Sequence, residues 1–303
     1  RSTDVALTYV GSIDVALTRA VIWASLWNAV RDGLLDPRRF IVAVLTAVPS
    51  ETEPAIRDRL LLFIAEAISS FLPGDLRADV HDQVLATTIR LSRETQDADA
   101  WRSYTRAFIA EFAARGGDEY EATVRSFAAS DNPDIAWRAR RALAARGLVD
   151  AGAIEAWRSA DGSGEAARMS VEALASLPIE EARRHAWESV YSETLSNDFL
   201  TATLAGLQAS SWEGEPDIEA AVDRLRSYWE SHTIGMALRY ANGVLAYGLD
   251  SDRDGSVSRS VGLLRSWLDT NSDAPAQLRR IVIEHLDAFE RDERVQRRWK
   301  QDQ

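Results

Sequence analysis

No stretch of the 303-residue chain sustains an alternation of apolar and polar residues, so no strand is predicted anywhere. What repeats instead is helical punctuation: Ser, Asp, Asn or Pro at the starts, Gly, Pro or short polar clusters at the stops. Reading these marks in order predicts helices over 3–10, about 14–33, 38–48, 53–72, 76–95 and 99–115. Shorter ones follow over 118–130, 133–146, 151–160, 165–177, 178–191, 199–209, 216–230, 233–249, 255–269 and 275–299. Some sixteen helices joined by short loops make an all-α chain.

Helix pairs recur about every 35 to 45 residues, near the HEAT and armadillo period. The run Asn132–Gly147, NPDIAWRARRALAARG, has the form of one such helix, with Pro near its start and Ala and Leu along one face. The expected architecture is therefore an irregular HEAT/armadillo-like α-α superhelix, a solenoid spanning residues 1–303 as a single domain. Two or more separate bundles are the alternative.

The segment Leu17–Leu35, LTRAVIWASLWNAVRDGLL, carries more detail than a surface helix needs. Arg19, Trp23 and Trp27 recur every four residues and fall on one stripe, while Val15, Ile22, Leu26 and Ala29 form a second. A helix apolar on most of its circumference is expected to be buried among others, with Arg19, Trp23 and Trp27 as structural residues.

Composition narrows the function. A net charge of −12 with a single lysine, Lys300, argues against nucleic acid and against an anionic membrane surface. The longest apolar run, Phe40–Val48, is too short to span a bilayer. No cysteine is present, which excludes disulfides and thiolate metal sites and suits the cytoplasm. The chain opens at Arg1 directly into helical pattern, which reads as a piece of something longer.

Catalytic motifs are missing. His81, His185, His232 and His285 are scattered without a His partner one turn away, and Glu284 beside His285 points to a different side of its helix. Phosphate loops and nucleophile elbows are also lacking. Glu180 and Glu181 sit in a helix first turn, where negative charge favours the dipole. Asp250, Asp252, Asp254 and Gly255 open like an EF-hand loop, but the twelfth position, which needs a bidentate Glu, is Val261, so a polar turn is expected. No catalytic, cofactor or metal residue is assigned to this chain.

The pattern R-x-x-x-W-x-x-x-W-N-A-V-R-D-G-x-L over Arg19–Leu35 resembles the start of the C-terminal helical domain of zinc aminopeptidases of the aminopeptidase N family, in its actinobacterial type. This is the endoplasmic-reticulum-aminopeptidase-like C-terminal domain. Asp131–Asp150, Trp187–Ala205 and Leu278–Arg291 resemble later parts of it, in the same order. The resemblance implies a HEAT-like solenoid that packs against an upstream catalytic domain, closes the active-site chamber and contacts the peptide substrate. Zinc and the exopeptidase motifs would belong to that upstream domain, so this chain alone would be inactive. Arginines of an inner face could hold a peptide's carboxylate, with Arg239 beside Tyr240 as candidates. A free-standing HEAT-like protein-binding scaffold is the alternative.

Overall fold

The computed structural model describes residues 2–192, 195–210, 218–247 and 256–301. Among them there are seventeen α-helices and no strand, as the missing alternation predicts. In order they are α1 Ser2–Tyr9, α2 Ala16–Arg31, α3 Pro37–Ala47, α4 Pro54–Glu66, α5 Gly74–Glu94, α6 Ala98–Arg115, α7 Asp118–Ala128, α8 Pro133–Ala145 and α9 Ala151–Asp161. They continue as α10 Gly164–Ala175, α11 Glu180–Val190, α12 Asn197–Ala209, α13 Ile218–Asp223, α14 Leu225–Ser231, α15 Ile234–Tyr247, α16 Ser256–Thr270 and α17 Ala276–Gln301.

The punctuation works through hydrogen bonds that helix ends otherwise lack. Asp36, Asn132, Asp150, Ser163 and Ser196 each accept from a backbone N–H of the first turn, and Pro37 and Pro133 stand where no donor is needed. At the other end, Gly33 and Gly147 adopt φ of 68°, the left-handed region. The following N–H groups reach back, Leu34 to Ala29 O at 2.8 Å and Leu148 to Leu143 O at 2.9 Å, closing Schellman stops.

Two predicted helices are interrupted. The run 53–72 leaves α-helix after Glu66 and continues as a π segment, Ala67–Phe71, closed by Leu72 N–H on Ala67 O at 3.0 Å. Its apolar residues keep a helical spacing throughout, so periodicity cannot reveal the extra residue in the turn. The predicted helix over 216–230 breaks at Arg224 into α13 and α14. The Asp250–Gly255 turn lies outside the described residues.

The chain divides into two compact units. The first comprises the described residues of Arg1–Glu111, Asp250–Val257 and Ala288–Gln303. Its core is aromatic: the Trp27 indole stacks on Phe63 with centroids 4.4 Å apart and lies 5.6 Å from both Phe40 and Phe71. Trp23 meets Phe40 edge-on at 5.9 Å. Val295 of α17 is buried in the same cluster.

The burial of α2 is narrower than its composition suggests. Trp23, Leu26, Trp27 and Val30 are buried, but Val15, Leu17 and Val21 are 60%, 74% and 58% exposed. Its packed neighbours are α1, α3, α4 and the π segment, and they cover one side of it.

The second unit comprises the described residues of Phe112–Leu249 and Ser258–Asp287. Here α7 pairs with α8, α9 with α10, α11 with α12 and α14 with α15, while α8, α10, α12 and α15 pack on one another in succession. This is the helix-hairpin order the short loops predict. Two glycines permit it. A Cβ at Gly206 of α12 would stand 2.2 Å from the Glu172 carbonyl oxygen of α10, and one at Gly243 of α15 would stand 2.6 Å from Leu204 Cδ1 of α12.

Candidate functional site

In the second unit, α10, α11 and α12 surround a cleft of about 460 Å³. Its floor is apolar, from Val171 and Leu174 of α10, Leu177 and Ile179 of the following turn, Ala182 and Ala186 of α11, and Leu195 and Phe199 at the start of α12. Glu181, Arg184, His185, Ser189 and Thr203 supply the polar groups. Arg184 is exposed and shares its charge with Glu188, one turn on, at 3.2 Å. An apolar floor with a few polar groups at its edge is the ordinary make-up of a ligand cleft.

Gly206 lets α12 close on α10 at Glu172 and Ala175, and Ala175 also lines the cleft. No sequence period announces such a site, because its lining comes from α10, α11 and α12, from Ala151 at the start of α9, and from the connections after α10 and α11. Residue type alone marks only His185 in this region, as one of four isolated histidines.

An aromatic ladder lies in the same unit. Tyr228 stacks on His232 at 3.7 Å and on Tyr240 at 4.0 Å, Tyr240 lies 6.2 Å from Tyr191, and Tyr191 stacks on Trp187 at 5.9 Å. The Arg224 guanidinium covers the Tyr191 ring at 4.2 Å. Burial pushes the Tyr228 phenol up to about 12 and raises that of Tyr240 as well. Both therefore stay protonated at neutral pH and act as packing groups.

The two candidate peptide-facing residues have different fates. Tyr240 is buried and its hydroxyl donates to Ala221 O at 2.8 Å. Arg239 is exposed and donates to Gly235 O of its own helix at 3.0 Å. Neighbours in a helix point about 100° apart, so one of the pair faces the core and the other solvent.

Arg19, Trp23 and Trp27 are buried in the first unit, as their stripe predicts. Arg19 donates from Nε to Glu51 Oε2 at 2.9 Å and from Nη2 to Oε1 at 2.5 Å, and its Nη1 reaches the Ile13 and Asp14 carbonyls. Burial by itself would raise the Glu51 carboxyl, but the Arg19 fork and the Glu53 N–H hold it below its ordinary value. The guanidinium thus ties α2 to the turn before α4.

The histidines stand apart from one another. His81 Nδ1 meets Glu111 at 2.6 Å, His232 is part of the aromatic ladder, His285 meets Asn242 at 3.3 Å, and His185 edges the cleft. Among the described residues no three His, Cys, Asp or Glu side chains converge as metal ligands. These donors do not fit a zinc centre, so no step through zinc is derived for this chain.

The profile of the ERAP1-like C-terminal domain family matches residues 6–291, nearly the whole chain. The chain belongs to that family. A relative, aminopeptidase N of Streptomyces lividans, is 26% identical over 312 residues, covering 98% of this chain but only 35% of the relative. The chain thus spans about a third of the length of that protein. Family membership accounts for the ordered motifs from Arg19 to Arg291, and the structure accounts for why two of them, Arg19 with its indoles and Asn132–Gly147, are packing and capping elements.

Proposed function

We propose that this chain is the non-catalytic C-terminal domain of a zinc-dependent aminopeptidase, acting with a catalytic domain of the same polypeptide that removes N-terminal residues from peptides. The observation that carries the reading is the match over 98% of this chain to only 35% of a protein named aminopeptidase N. The remainder of such a protein has room for the zinc motif that this sequence lacks. The domain closes the active-site chamber and contributes peptide contacts remote from the scissile bond, where binding energy can position a substrate. The α10–α12 cleft suits an apolar peptide side chain, and Arg184 and Arg239 are the exposed cations through which a peptide carboxylate would be held. The absence of cysteine suits a reducing cytoplasm.

The test compares the isolated chain with the parent enzyme. The isolated chain with added zinc hydrolyses no aminoacyl amide. In the parent enzyme, Ile179→Asp or Arg184→Glu weakens kcat/KM for long peptides about tenfold, at the scale of one lost apolar or charged contact, and leaves aminoacyl amides unaffected. Chelator-sensitive turnover by the pure isolated chain, or equal loss for short and long substrates, contradicts the reading. A free-standing scaffold predicts instead that neither variant changes any peptidase.

A further inference from the structure

Asp292 is a carboxyl buried in the first unit, on the last stretch of α17. It takes a hydrogen bond from Ser70, within the π segment. One turn further along α17, Gln296 donates to the Ser70 carbonyl at 2.7 Å. Val295 is buried in the aromatic core, and Gly33, at the stop of α2, faces Val295 Cγ2 and Arg298 Cδ, each 3.6 Å from where its Cβ would stand. The last turns of α17 are therefore seated on the π segment and the end of α2 by one apolar residue, one amide and one carboxyl.

We propose that residues 288–301 of α17 form a pH-sensitive latch on the first unit, seated while Asp292 keeps its proton and loosened when that proton leaves.

A neutral carboxyl can sit in this footing at little cost, whereas a carboxylate there loses its hydration. The charged groups that act on it are Glu66 at the end of α4, Arg31 at the end of α2, and Arg291 on α17 itself. Glu66 opposes a second negative charge, and Arg31 and Arg291 favour it; lost hydration outweighs them and pushes Asp292 up to about 7. Glu66 is also held above its ordinary value, chiefly by lost hydration, and Arg31 and Arg59 oppose that rise. The π segment supplies the other half of the device. Its extra residue per turn is what turns the Ser70 hydroxyl and carbonyl toward α17 in place of a regular helical ladder.

The sign follows from the raised value. A carboxyl whose folded pKa lies above its unfolded one stabilises the seated state fully at acid pH and loses that contribution as pH rises toward the folded value. Opening of 288–301 should therefore increase by up to tenfold per pH unit between about 4 and about 7 and level off above.

Carboxyl NMR titration of the full chain, with hydrogen exchange of segment 288–301 from pH 5 to 9 corrected for intrinsic rates, decides the matter. We expect one carboxyl with a midpoint near 7 that is absent in Asp292→Asn, and protection of 288–301 that falls toward pH 7 in the natural chain and stays level in the variant. Ser70→Ala should move the midpoint upward, because its hydroxyl favours the ionised form. If Asp292→Asn does not fold, the natural chain still decides. Asp292 titrating near the ordinary 3.8, an unchanged pH dependence in the folded variant, or protection lost evenly across the first unit would each overturn the latch.

Discussion

The aromatic core of the first unit and the α8–α10–α12 stack of the second solve the problem of helix packing in opposite ways. In the first, large rings fill the space between helices: Trp27 lies against Phe40, Phe63 and Phe71, with Trp23 at the edge. In the second, small residues remove the space. Ala136, Ala139, Ala142, Ala144 and Ala145 of α8 and Ala166, Ala173 and Ala175 of α10 are buried, and Gly206 lets α12 come within backbone contact of α10. A core of rings fails when volume is taken out; a core of small residues fails when volume is put in.

The aromatic core rests most heavily on Trp27, which packs on three rings. Trp27→Ala should destabilise the chain by about 3 to 5 kcal/mol in urea denaturation, because three rings lose their partner and cannot collapse together. A loss below about 1 kcal/mol would mean that the rings of the first unit close over the missing indole.

Next comes Glu51. Glu51→Gln should cost about 3 kcal/mol, because Arg19 stays buried without its carboxylate. The natural pair carries a pH signature as well. Glu51 is held below its ordinary value, so its contribution is present above the unfolded pKa and is lost as pH falls through the folded one. Acid should therefore weaken the first unit through Glu51 below about pH 4, the reverse of the trend expected for Asp292. Thermal melts of the natural chain and Glu51→Gln from pH 3 to 6 check this: the difference between the two should shrink toward acid.

The smallest pair of effects sharpens the second half. Gly206→Ala should cost about 2 to 3 kcal/mol, since its Cβ would meet a backbone oxygen that cannot move independently. Gly243→Ala, meeting Leu204 Cδ1 at 2.6 Å and Leu204 Cβ at 3.1 Å, should cost less, about 1 to 2 kcal/mol, because the closest atom is a side-chain methyl that can shift although the Cβ cannot turn aside. Equal costs in chemical denaturation would mean that α12 and α10 separate easily and that close approach does not define this unit.

Much of the architecture was legible in residue order. Asn132 and Asp150 mark helix starts, Gly33 and Gly147 mark stops, and the spacing of Arg19, Trp23 and Trp27 identifies a buried stripe, because caps and periodicity act over one or two turns. The exposed Val15, Leu17 and Val21 misled for the same reason: an apolar residue is written alike whether or not a neighbouring helix covers it. The π segment leaves no mark in the sequence because its apolar spacing continues that of α4. The cleft was invisible, since Val171, Ala186 and Phe199 come together only when three helices do.

By itself, then, the sequence determined the all-helical class, the helix starts and stops, the aromatic stripe of α2 and, through ordered motifs, the family to which the chain belongs. Those properties rest on local hydrogen bonds and on spacing along one helix. The tertiary structure decided which face of α2 is dry, that Tyr240 points inward while Arg239 does not, where Gly206 permits contact, and that Asp292 sits beside Ser70. Burial, close approach and the pKa of a carboxyl depend on atoms distant in the chain, and only folding brings those atoms together.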